Sequence, residues 1–225
     1  VGAEGPIDRI LPGPGRADAG ALSSPAVLEQ PRPLRPRLRA TGSTGNSLLG
    51  ALGRLDQRLL VMLRTRGHNP TSEWIAGALG RFGEWGLGWV AVGVLGAGLD
   101  RDRAAAWLTA GALAPLAVVA NYGIKVAIGR ERPLIEDHPR LARAPSKLSF
   151  PSAHATSSGA AAAAMARLSP SAAPALNGLA LAICLGRPFL GMHYPSDAVA
   201  GFLLGRGIGR AYPLPGTGPH EVWAR

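Results

Sequence analysis

An all-α helix bundle embedded in a membrane is the fold class this sequence predicts. Three features point to it. Residues 104–124 carry no charged side chain and match the ~20 residues a bilayer crossing needs. Further apolar stretches flank them, and no stretch shows the period-two alternation of a half-buried strand. Gly201, Gly205 and Gly209 recur every fourth residue, which reads as a smooth face for close helix packing in lipid. The expectation is a polytopic bundle of about five spans, with a preceding amphipathic helix and a disordered N-terminal tail.

Residues 1–45 are rich in Pro, Gly, Arg and Ser and show no sustained period, so they are expected to be disordered. Arg32, Arg35, Arg37 and Arg39 alternate with prolines there, as a solvated tail or as a polybasic anchor for anionic headgroups. No uninterrupted apolar core of a secretory signal stands in this segment. Residues 46–66 place Leu48, Leu52, Leu55, Leu59 and Met62 at spacings of three and four, with Arg54, Arg58, Arg64 and Arg66 on the polar side. Such a helix lies in the membrane interface or packs on the bundle. His68-Asn69-Pro70 ends it.

Residues 74–99 form the first expected span, its firm apolar part being 85–99 with Trp85 and Trp89 as interfacial anchors. A polar hairpin at 100–103 leads into the span 104–124. A long polar loop covers 125–153, an alanine-rich helix 154–168, and an apolar stretch 172–186; a last helix runs from about 196 to 211. The helical bundle is thus expected over 46–212, with a C-terminal tail at 213–225.

The net charge of +10 admits nucleic acid, an anionic membrane surface or a phosphorylated substrate as partner. No nucleic-acid motif accompanies the cations, so nucleic acid is not expected. The mean hydropathy of +0.13 is what apolar helices averaged with a polar tail produce. Cys184 is the single cysteine, which excludes an internal disulfide; it lies in an apolar run as a small packed hydrophobe.

Three clusters carry chemistry. In the first, Lys125 precedes Arg132-Pro133 by seven residues. A lysine at the end of a span either snorkels to the headgroups or has a polar partner. Arg132 offers a planar donor fork suited to phosphate oxygens. In the second, Pro151-Ser152-Ala153-His154 opens the alanine-rich helix, with Ser152 as N-cap and free backbone N–H groups that bind anions. His154 there is placed to protonate a departing alkoxide. The third contains Arg187, His193 and Asp197. Pro195 starts the next helix, and Asp197 in its first turn can reach back to orient the His193 ring. A plain hydrogen bond at a loop corner would use the same two residues.

Taken together, Lys-x6-Arg-Pro, Pro-Ser-x-His and Arg-x5-His-x3-Asp resemble the signature of the type 2 phosphatidic acid phosphatase superfamily, which includes vanadium haloperoxidases. The resemblance runs from about residue 55 to 204. It implies a helical membrane phosphatase that needs no metal or other cofactor and acts on a lipid phosphate. By that resemblance His193 is the nucleophile, Asp197 its orienting carboxylate, and His154 the general acid and later base. Lys125, Arg132 and Arg187 bind phosphate, assisted by Ser152 and the Ala153 backbone. Gly186 stands where the family often has Ser, and Ala153 where Gly is frequent.

The Ala/Gly/Arg-rich composition resembles small actinobacterial members, some acting on polyprenyl-phosphoryl sugars such as decaprenylphosphoryl-5-phosphoribose in cell-wall arabinan precursor synthesis. Phosphatidic acid, phosphatidylglycerophosphate and polyprenyl diphosphate stay open, as do two other classes, a vanadium haloperoxidase and a non-catalytic lipid-binding protein. Glu136, Asp137 and His138 are adjacent loop positions with poor ligand geometry, and no metal site is expected there. The arginines of the tail and first helix place both of these, and the site two spans on, in the cytoplasm. Family members often work at the outer face, and a re-entrant or additional span within 46–84 would reverse the assignment.

Overall fold

The computed structural model describes residues 48–217 apart from Glu136; residues 1–47, which include the expected tail over 1–45, residues 218–225 and Glu136 lie outside the described residues. The helices are α1 (Leu48–Thr65), α2 (Pro70–Phe82), α3 (Leu87–Leu99), α4 (Ala104–Ile128), α5 (Ala153–Leu168), α6 (Ala173–Phe189) and α7 (Pro195–Ala211). Short 3-10 turns precede α3 and α4.

The chain turns sharply into α2 because Asn69 and Ser72 cap it reciprocally, at 2.9 and 3.0 Å, with Pro70 at the first helical position. The span expected over 74–99 is not one helix. It breaks at Gly83–Gly86, where Trp85 (φ +53°) and Gly86 (φ +76°) leave helical geometry, and α2 and α3 meet at a 48° bend. Gly86 also lies so close to α4 that a Cβ there would sit 2.8 Å from the Ala114 backbone. Trp85 is exposed, as an interfacial anchor would be, but Trp89 is fully buried and donates to Ser158 Oγ at 2.9 Å. The expectation of a paired aromatic belt therefore fails for Trp89, whose indole N–H finds its partner inside the bundle.

α4 extends past residue 124 to Ile128, where Gly129 (φ +67°) ends it. Among the described residues, α4 with its leading turn is the one helix long and apolar enough by itself to cross a membrane; the bent α2/α3 pair passes the same test taken together. α5 is the axis of the packing. Its Ala160, Ala161, Ala162 and Ala164, with Met165 and Leu168, share one buried cluster with Ala110, Leu113 and Ala114 of α4 and Ala180 and Ile183 of α6, while Ala155 packs with Cys184 and Ala198. Large apolar side chains such as Leu99, Val119, Leu185 and Leu203 face outward, in keeping with a lipid surround.

The glycine stripe of α7 does what its spacing predicts. A Cβ on Gly201 would stand 2.6 Å from the Ser152 carbonyl oxygen, and Cβ atoms on Gly205 and Gly209 would strike those of Thr156 and Ala160. α7 thus lies directly on the α5 backbone. Cys184 is buried and its Sγ donates to the Ala198 carbonyl, as a packed hydrophobe would.

α1 turns a different face inward than expected. Asp56, Leu60 and Arg64, spaced by four, are buried, while Leu48, Leu52, Leu55, Leu59 and Met62 are exposed. Arg64 is therefore not on the solvated polar side. Its Nη2 donates to the Pro139 carbonyl at 2.7 Å, and burial lowers its pKa.

The packing predicts an asymmetry between neighbouring glycines. Gly205→Ala should lose about 1–3 kcal/mol from overpacking, whereas Gly207→Ala, with nothing within 4 Å of its Cβ, should change stability by less than about 1 kcal/mol. Thermal melts of both variants in one detergent check this.

Candidate active site

The loop after α4 folds back on itself. Arg132 N donates to the Lys147 carbonyl at 3.0 Å and Ser149 N to the Arg130 carbonyl at 2.7 Å, around an isolated bridge between Glu131 and Leu148. This return brings the loop over the ends of α4, α5 and α6, where the three sequence clusters converge. A cavity of about 480 Å³ opens there, lined by Lys125, Arg132, Ala153, His154, Arg187 and His193 among others.

Lys125 is only 4% exposed, so it does not snorkel. Its ammonium donates to the carbonyls of Pro151 (2.9 Å), Ser149 (3.1 Å) and, more weakly, Leu148 (3.4 Å). It ties the loop to α4 while keeping its charge at the cavity wall. Arg132 is buried and pinned by the carbonyls of Ser146 (2.9 Å) and Met192 (2.7 Å). Burial, with Arg140 nearby, lowers its pKa to about 10, so it stays a cation at neutral pH.

Arg187 differs from both. It lies within α6, is 5% exposed, and its side chain donates no hydrogen bond among the described residues; Nε is buried without a partner. Gly80 makes room for it, since a Cβ there would stand 2.6 Å from Arg187 Nη1. A buried guanidinium with unused donors facing a cavity marks a place for an anion.

His193 is buried between these cations. Arg132 Nη1 donates to His193 Nε2 at 3.0 Å. A guanidinium has no acceptor, so Nε2 is the unprotonated nitrogen and the proton sits on Nδ1. That nitrogen faces Asp197 Oδ2 at 3.7 Å, too long for a hydrogen bond, and it has no other partner. Burial first, then Arg132, Arg187, Lys125 and His154, hold the His193 pKa well below its ordinary 6.5.

His154, at the start of α5, donates from Nε2 to the Gly80 carbonyl at 3.1 Å, with Glu84 Oε2 at 3.4 Å from the same nitrogen. Ser152 caps α5 by accepting from the Ala155 N–H. It is fully buried and does not line the cavity, whereas Ala153 does. At Gly186 a Cβ would meet only Ala76, at 4.0 Å, so the absent serine hydroxyl is not excluded by space.

Three contributors escaped the sequence. Glu84 reaches His154 from the α2/α3 break, which apolar periodicity does not foretell. Asp56 and Arg130 stand behind Asp197. The available signals were weak: Asp56 is the lone carboxylate of α1, and Arg130 lies beside the Arg132 of the first cluster.

A helical bundle that gathers fixed cations and two imidazoles around one cavity, with a carboxylate behind one of the rings, has the makings of a phosphohydrolase site. The PAP2 superfamily matches residues 104–214. The chain is 46% identical over 129 residues to the decaprenylphosphoryl-5-phosphoribose phosphatase of Mycolicibacterium smegmatis, covering 56% of this chain and 69% of that protein. It is 42% identical over 153 residues to the protein of the same name from Mycobacterium tuberculosis, covering 67% and 84%. In fold it is similar to a transmembrane PAP2 type phosphatidylglycerolphosphate phosphatase from Bacillus subtilis, at a TM-score of 0.60 and 20% identity, over 71% of this chain and 83% of that one. The chain belongs to the PAP2 superfamily and is a lipid phosphatase.

The electrostatics of His193 predict that its ring stays neutral, as the Nδ1–H tautomer, below the usual imidazole range. Lys125→Met removes one repelling cation and should raise its pKa. Histidine-selective ¹³C NMR of the detergent-solubilised protein across pH 4.5–8 reads both.

Proposed function

We propose that this lipid phosphatase removes the terminal phosphomonoester of a polyprenyl-phosphoryl sugar, decaprenylphosphoryl-5-phosphoribose, through a phosphohistidine on His193. The observation that carries the site is Arg187, a buried cation whose donors are unused and which shares the cavity with Arg132 and His193. The substrate follows from the names of the two mycobacterial relatives. The cavity suits a lipid-linked ligand, since Trp85, Val119 and Tyr122 both line it and are exposed, giving it an apolar mouth.

In the first step His193 Nε2 attacks phosphorus, forming an N–P bond as the P–O bond to the sugar carbon's oxygen breaks. Arg132 exchanges its contact with Nε2 for the phosphoryl oxygens, and Arg187 and Lys125 offset the remaining charge. Asp197 stabilises the imidazolium through Nδ1–H. His154 in its protonated form gives the leaving alkoxide a proton. The Gly80 carbonyl holds Nε2–H, which leaves Nδ1 as the exchanging nitrogen. Neutral His154 then takes a proton from water, which cleaves the N–P bond and releases phosphate. Ser152 contributes by capping α5 rather than by touching phosphate.

For the membrane we propose five crossings: the bent α2/α3 pair, α4, α5, α6 and α7. α1 lies in the interface with its leucine stripe in lipid. Asp56 of α1 bonds residues of the catalytic loop, which supports α1 and the site sharing one end of the bundle. The positive-inside rule assigns that end to the cytoplasm.

Phosphate release from decaprenylphosphoryl-5-phosphoribose in EDTA, measured against phosphatidic acid and phosphatidylglycerophosphate, tests the substrate. His193→Ala should abolish it and the acid-labile phosphoenzyme, and His154→Ala should slow it by about 10²–10⁴. Undiminished release by His193→Ala would sink the nucleophile, and preferential turnover of a glycerolipid would replace the substrate. For sidedness, Arg143→Cys at the exposed cavity rim should react with an impermeant maleimide in inside-out vesicles and not in right-side-out ones.

A further inference from the structure

Behind Asp197 lies a charged chain with no place in the reaction as described. Asp197 is fully buried, and its Oδ1 accepts from Arg130 Nη1 at 2.7 Å. The same guanidinium donates through Nη2 to Asp56 Oδ2 at 2.9 Å and through Nη1 to Ser196 Oγ at 2.8 Å, and it stacks on the Tyr194 ring 4.0 Å away. Asp56 in turn accepts from Ser196 N at 2.8 Å and Ser196 Oγ at 2.5 Å, at the start of α7. Arg130 does not line the cavity. α1 thus places one carboxylate against both the first turn of α7 and the cation that holds Asp197.

This geometry has a chemical consequence. With Oδ1 taken by Arg130 and Oδ2 accepting from Tyr194 N at 2.9 Å, the carboxylate of Asp197 has a single orientation, and in it Oδ2 faces His193 Nδ1. We propose that Arg130 and Asp56 are positioning residues for the reaction: Asp56 fixes Arg130, and Arg130 fixes the Asp197 carboxylate against His193. The proposal rests on His193 being the nucleophile. It makes α1 part of the catalytic apparatus rather than only a membrane anchor.

The charges around His193 set the sign of the test. Arg132 and Lys125 face it from the loop and α4, Arg187 from α6, His154 from α5 and Asp197 from α7. Glu84 lies beside Arg187 and His154, and Glu131 beside Tyr194. Removing the Arg130 charge leaves Asp197 less neutralised, so the His193–Asp197 pair binds a proton more tightly. The acid limb of kcat/KM therefore moves to higher pH. Removing the Asp56 charge cannot move it that way, because Arg130 then acts on Asp197 undiluted.

The experiment uses the full chain in detergent, with dioleoyl phosphatidic acid or decaprenylphosphoryl-5-phosphoribose, whichever is turned over faster. Titration of the substrate phosphate is common to all variants and drops out of the comparison. Arg130→Met should lower kcat by at least ~10-fold, with KM and orthovanadate inhibition within about 2-fold, and raise the acid limb by about half a unit or more. Asp56→Asn should lower kcat without raising the limb. The double variant should lose less than the product of the single losses, because both act through one carboxylate. Arg130→Lys keeps the charge, so its limb stays near wild type while kcat falls; this readout survives if Arg130→Met does not fold.

Multiplicative losses, wild-type kcat in Arg130→Lys, or weakened orthovanadate inhibition with an unmoved limb would overturn the proposal. The last would make Arg130 a direct phosphate ligand. Activity surviving in His193→Ala fails the parent assignment instead, and the two failures are distinguishable in the same preparation.

Discussion

Like charges held together out of water are the constraint around which this bundle is arranged. Lys125, Arg132 and Arg187 converge on one cavity, and each is almost fully buried. Desolvation and mutual repulsion both oppose this. Backbone carbonyls offset part of the cost: the loop strand 148–151 wraps the lysine, and Ser146 and Met192 clamp one guanidinium. Arg187 is left with no such partner. Among the described residues its charge is offset by no carbonyl, which is what makes the cavity suited to an anion such as the phosphate of the proposed substrate.

The same constraint accounts for His193. A ring surrounded by cations resists protonation, which keeps a lone pair available on Nε2. It also means that the phosphohistidine proposed for this ring would be positive among cations unless a carboxylate stood on the other side. Asp197 meets that need, but a buried carboxylate must itself be held. The chain through Arg130 to Asp56 holds it, so the electrostatics around His193 reach α1.

The helices had to satisfy lipid as well as the site. Close contact between α5 and α7 through Gly201, Gly205 and Gly209 brings the start of α5, with His154, next to the start of α7, with Asp197; Ser152 N donates to the Asp197 carbonyl at 3.0 Å. Packing of small residues thereby sets where His154 stands relative to Asp197. The α2 end and the break after it serve the site too: Gly80 of α2 accepts from His154 and leaves room for Arg187, and Glu84 at the break reaches His154.

Local pattern was enough to read most helices and the long loop, and the three spaced clusters, with the family they resemble, named Lys125, Arg132, His154, Arg187 and His193, which meet at the cavity; the break inside 74–99 was not legible. The glycine stripe was legible because spacing by four defines one helix face. The inward face of α1 was not: its leucines mark the larger apolar side, yet Asp56 and Arg64 find hydrogen-bond partners at Arg130 and Pro139, more than 70 positions away in sequence, and only folding shows that the leucines stay exposed. Trp89 was misplaced for the same reason, its partner Ser158 lying on another helix. The amino-acid order already specified the cations, imidazoles and carboxylate available for the proposed chemistry. Tertiary structure alone decided which of them face the cavity, as Arg187 does, and which stand behind it, as Ser152, Asp197, Arg130 and Asp56 do, because burial and pairing are set by distant segments.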